Sequence, residues 1–122
     1  MTEVTSQSRV LTENLTIFSD SVSIMTKTAN PKTFFARFYA AVKCADELAR
    51  SYCMCELYSD VDEWCEIKEK LMSSRKDLIT DLANRIYELS DMESLRLLLT
   101  EFANELDTEL FKYIESLCKK EQ

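Results

Sequence analysis

The chain has 122 residues, 46% apolar and 30% charged, with a formal net charge of −7; that is long enough for one continuous core and ordinary for a folded protein. It contains no glycine and no histidine, so left-handed turns and phosphate-cradling loops lose their usual residue, and the commonest general base and metal ligand is missing. The excess acid lies in the second half: residues 1–58 carry six acids and six bases, residues 59–122 sixteen and nine, which disfavours nucleic acid or anionic lipid as a direct ligand and favours basic partners.

Met1 to about Ser8 are small and polar and are expected to fray. This start lacks the apolar stretch of a signal peptide, and no run approaches the roughly 18 apolar residues of a membrane span. Leu11, Leu15, Phe18, Val22 and Met25 then recur at steps of four and three, which predicts a first helix over residues 8–28 with one apolar stripe. Asn30 followed by Pro31 is a helix start: asparagine accepts a free first-turn amide, and proline at the first helical position loses no bond. From there Phe34, Phe38, Ala41, Ala45, Leu48, Tyr52 and Cys55 form the buried face of a second helix, widened by Phe35 and Val42. The short connection makes the two helices antiparallel neighbours.

A third helix is predicted from about residue 60, with Ser59 and Asp62 resembling a capping box and Trp64, Leu71, Leu78, Leu82, Ile86 and Leu89 facing inward. Ser73-Ser74-Arg75-Lys76 could be an exposed mid-helix segment or a break, and the periodicity favours continuity. Ser90 with Glu93 reads as a second capping box, opening a fourth helix with Leu95, Leu98, Leu99 and Phe102 that ends near Glu105. Asp107 or Thr108 can cap a last helix whose inner face is Leu110, Phe111, Ile114, Leu117 and Cys118. The sum is an all-α, single-domain bundle of four to five helices with short connections, without repeats, linkers or an internal domain boundary.

Candidate chemistry is sparse. The five cysteines show no two-residue gap suited to zinc and read as reduced, small core residues in a cytoplasmic setting. Asp62, Glu66 and Glu69 share a helical face, but a two-metal bundle site wants Glu-x-x-His pairs that the chain cannot supply, so a solvated acidic face is the simpler reading. A nucleophilic cysteine lacks a base, and Arg37-Phe38-Tyr39, which could stack on a single strand, has its phenylalanine in the apolar stripe. Trp64 would anchor a partner if exposed; its spacing to Leu71 and Leu78 favours burial. No catalytic residue, metal or cofactor is therefore assigned. The residues left for partner binding are the acids Asp60, Asp62, Glu63 and Glu66, which would engage Arg or Lys on another protein.

At Asn30-Pro31-Lys32-Thr33-Phe34-Phe35-Ala36-Arg37-Phe38 the chain resembles a segment of small, mostly uncharacterised helical proteins of Firmicute bacteria and their mobile elements, in which a Thr-Phe-Phe-Ser-Arg-aromatic motif, matched here by Thr33, Phe34, Phe35, Arg37 and Phe38, opens a long helix. Ala36 stands where that motif has serine, so no role for that hydroxyl carries over. The stretch Ile79 to Tyr87, with Arg85, and the segment Tyr113 to Cys118 are similar too, so the likeness spans about residues 20–118. It implies a helical fold and a bacterial or phage-related source, and brings no activity with it. The expected function is a non-enzymatic acidic module working through protein–protein contact. The alternative is a phage- or mobile-element-encoded inhibitor whose acidic face mimics nucleic acid to block a host defence or replication protein. The wide apolar stripes also leave a homodimer open.

Overall fold

A computed structural model describes the backbone of residues 2–120 and the side chains of residues 9–120; the backbone of residues 2–8, expected to fray ahead of a helix starting at residue 8, belongs to the first helix, and Met1 lies outside the described residues. Among the described residues the chain is all-helical, without strands: α1 (Thr2–Lys27), α2 (Pro31–Met54), α3 (Tyr58–Ser73), α4 (Arg75–Glu88), α5 (Met92–Thr100), a 3-10 turn (Ala103–Glu105) and α6 (Thr108–Lys120). α1 and α2 form a long hairpin, α3 runs back along α2, and α4 to α6 gather at the hairpin's closed end. None of these helices is long and apolar enough to cross a membrane.

The hairpin turns where the sequence places it. Asn30 sits in extended backbone and its side chain accepts the Thr33 amide at 3.0 Å, with Pro31 in the first turn. The first two turns of α2 then supply the centre of the core. Phe34, Phe35 and Phe38 are buried, Phe34 packs edge-on to Phe35 at 5.0 Å, and Phe35 stacks on Phe102 at 4.9 Å. Around them close Met25, Ile79, Leu82, Ile86, Leu95, Leu98, Leu110, Ile114 and Leu117, so four segments distant in sequence share one cluster.

The expected four to five helices are six, because the third helix breaks at Ser74. Ser73 Oγ donates to the Lys70 carbonyl at 3.1 Å, and Ser74 has ψ near −1° instead of the helical value. A serine pair is one of the recurring causes of a helix kink. The kink separates two different environments: α4 buries Ile79, Leu82, Ala83 and Ile86, whereas α3 buries no residue fully. Trp64, Leu71 and Leu78 are accordingly only half-buried, and Leu89, expected inward, is 68% exposed at the end of α4.

Both capping boxes are replaced by another device. α2 ends with the Leu57 amide on the Tyr52 carbonyl and the Glu56 amide on Cys53; α4 ends with the Asp91 amide on Ile86 and the Ser90 amide on Tyr87. Each is a Schellman motif, whose turning residue must be left-handed. Without glycine, Glu56 (φ 60°) and Ser90 (φ 56°) take that position. Ser90 thus closes α4 and cannot cap α5, a role that passes to Asp91, whose carboxylate accepts the Ser94 amide at 3.2 Å. Leu57, committed to closing α2, precedes α3 without a side-chain cap. Since the left-handed region costs a non-glycine residue about 1–2 kcal/mol, partly offset by glycine's greater chain entropy, Glu56→Gly and Ser90→Gly are each expected to raise stability by about 0.5–1 kcal/mol in urea melts.

The fourth helix also stops early, at Thr100. Phe102 turns inward onto Phe35, and the 3-10 turn carries the chain to α6, where Asp107 accepts the Leu110 amide at 2.7 Å. That bond holds the Asp107 carboxyl below the usual range, as the Ser94 hydroxyl and amide hold Asp91. A carboxyl whose pKa falls on folding stabilises the fold fully above its unfolded value and loses that contribution as pH drops through the folded one. Urea melts should therefore weaken on acidification below roughly pH 4, and a D91N/D107N chain should show a flatter decline.

Candidate interaction surface on the third helix

α3 is the least embedded helix of the hairpin half: it packs along α2 without burying any residue fully, and two side-chain contacts help to fix it there. Trp64 meets Phe18 of α1 edge-to-face at 5.0 Å, and the Lys68 ammonium donates to Asp46 of α2 at 3.1 Å; Asp46 also pairs with Arg50. These anchors face the hairpin and turn the opposite side of α3 to water. Its sequence YSDVDEWCEIKEKLMS carries five acids against two bases, one of which, Lys68, is engaged by Asp46.

Of the acids assigned to partner binding, Asp62, Glu63 and Glu66 are exposed and Asp60 is half-buried in the first turn. Glu69, from the same face, is exposed as well. Among the described residues none of these five carboxylates forms an ion pair. Glu63, Glu66 and Glu69 surround a shallow depression with Ile67, Lys70 and Ser73. The four assigned residues therefore lie on one helix, but Asp60 stands apart from the exposed group.

An apolar groove beside this face is not apparent from the sequence. It runs between α1 and the α3–α4 kink, holds about 350 Å³, and is walled by Phe18, Val22, Ile67, Leu71 and Leu78, with Lys70 at its lip. Helical spacing assigns Leu11, Leu15, Phe18, Val22 and Met25 to the buried stripe of α1. Of these the structure buries Met25, together with the polar Asn14 and Ser21, whereas Leu11, Phe18 and Val22 are half-buried and Leu15 is 39% exposed. One available signal was Ile17, an extra apolar residue off the stripe: α1 carries more apolar surface than a single neighbour covers. Ile67 and Lys70 border both the groove and the acidic depression, so the two are continuous.

The other polar clusters are structural ties. Tyr39 of α2 and Arg75 of α4 both donate to Glu105, and Lys76 bonds Glu109 and lies 3.6 Å from Asp107. The bond to Glu105, then burial, pushes the Tyr39 phenol up. With Phe38 fully buried and Tyr39 so engaged, the Arg37-Phe38-Tyr39 segment presents no stacking platform. Among the described residues no disulfide joins the cysteines, and of the five Cys44 is buried while Cys53 and Cys65 are exposed, against the expectation of core residues. Burial pushes the Cys44 and Cys118 thiols up, which keeps them protonated at neutral pH. No group of three or more Cys, Asp or Glu side chains among the described residues could hold a metal ion.

No protein-family model, curated protein or solved structure matches the chain.

Proposed function

We propose that the chain works as one non-enzymatic helical unit, in the cytoplasm of a bacterial or phage-related source, and acts by binding a protein with a basic surface through α3. The observation that supports this reading is the row of unpaired carboxylates at Asp62, Glu63, Glu66 and Glu69, exposed on a helix that the core does not require to be acidic. Exposed charge of one sign steers an oppositely charged partner and sets its register, while adding little to stability. A partner recovered from the native host should bind less well to a D62N/E66Q chain, and its affinity for the wild type should fall as salt rises. Loss of affinity in salt together with displacement by DNA would move the chain to the second class, an inhibitor occupying a nucleic-acid groove. A flat salt response would remove that class.

A further inference from the structure

We propose that the groove between α1 and α3 receives the apolar face of a basic amphipathic helix from the partner protein. This rests on the acidic-face reading above and specifies how the face is used. Two helix walls lined by Phe18, Val22, Ile67 and Leu71 offer the row of gaps into which side chains at helical spacing fit. On the side of Ile67 away from α2 lie Glu63 and Glu66, neither of them in an ion pair among the described residues, so a helix seated in the groove lays its flank against these two carboxylates. Lysine or arginine on that flank meets opposite charge; glutamate or aspartate meets its own. A second copy of the chain is the weaker occupant, because each copy carries −7 overall and would bring acid to an acidic rim. Lys70, the one base at the lip, has an aliphatic stem that can lie along the apolar wall while its ammonium stays in water.

Trp64, the chain's single tryptophan, packs against Phe18, a residue of the groove wall, and so reports on that wall from behind it. The probe is a tryptophan-free synthetic peptide of 16 residues, the length of α3, with leucine along one helical face and lysine on the other. Its counterpart carries glutamate in place of lysine. The lysine peptide is expected to shift Trp64 emission and the glutamate peptide to leave it unchanged. Ile67→Gln and Val22→Gln, made separately because both side chains are only half-buried, leave the charges intact; each should weaken binding by roughly tenfold or more, as for a central interface residue. E63Q/E66Q should weaken it severalfold and flatten its salt dependence. Circular dichroism of each variant confirms that it is folded. Equal binding of the two peptides, or no binding of either, overturns the proposal. Binding lost in E63Q/E66Q but kept in both groove variants overturns the groove while leaving the acidic face as the contact; binding indifferent to every variant removes both. A dimer in sedimentation that the groove variants dissolve overturns the proposal by giving the groove to a second copy.

Discussion

A Phe38→Ala chain is expected to unfold about 3–5 kcal/mol more easily than the wild type, a large share of the ~5–15 kcal/mol that stabilises a typical domain. Phe38 is fully buried, with Phe34 at 6.4 Å on one side and the Tyr39 ring at 5.5 Å on the other. It belongs to a segment whose neighbours come from α1, α4, α5 and α6, so truncation leaves a cavity that no single helix can close by shifting. Phe35→Ala removes the stacking on Phe102 and falls in the same range. Lys32→Ala, exposed one turn earlier, should change stability by no more than about 0.5 kcal/mol. Urea melts of the three variants at equal slope check this; a loss below about 1 kcal/mol for both phenylalanines contradicts the core assignment.

The second large effect is expected at Arg85. Its guanidinium, half-buried on α4, donates to the Thr28 carbonyl at 2.9 Å and the Met25 carbonyl at 3.0 Å. These carbonyls lie in the last turn of α1 and just beyond it, where backbone acceptors lack helical partners and the dipole is negative. Burial lowers the Arg85 pKa from its ordinary value, yet arginine stays charged in proteins. Arg85→Met keeps most of the volume and removes both bonds, at an expected cost of about 2–3 kcal/mol, since hydrogen bonds to charged groups are the stronger kind. Arg85→Lys should recover only part of this, because an ammonium cannot span two carbonyls as a planar fork does. Amide exchange should locate the damage: in Arg85→Met the Thr28 amide, bonded to the Ile24 carbonyl at 2.9 Å, should lose protection while amides in the middle of α2 keep theirs.

The surface proposals differ from these in what they require of the fold. Stability is concentrated at the closed end of the hairpin, where α4, α5 and α6 pack. α3 lies along the other end with no fully buried residue. Substitutions on its outer face should therefore change binding with little effect on stability, which lets the two kinds of effect be measured separately.

The sequence by itself determined the helical class, the hairpin at Asn30-Pro31, the phenylalanine-rich face of α2 and the inner faces of α5 and α6, because each rests on spacing or capping within one turn of helix. The acidic character of α3 was legible too, as composition. Tertiary structure decided the rest. Whether Ser73-Ser74 bends a helix depends on whether bending lets Ile79 and Leu82 reach a core built by other segments, and local periodicity does not register that gain. The left-handed turns at Glu56 and Ser90 could not be read because the residue that normally marks them is absent. The groove escaped for a related reason: spacing reveals that α1 has an apolar side, but the neighbours decide how much of it is covered, and α3 is held by Trp64 and Lys68 where it leaves part of that side open.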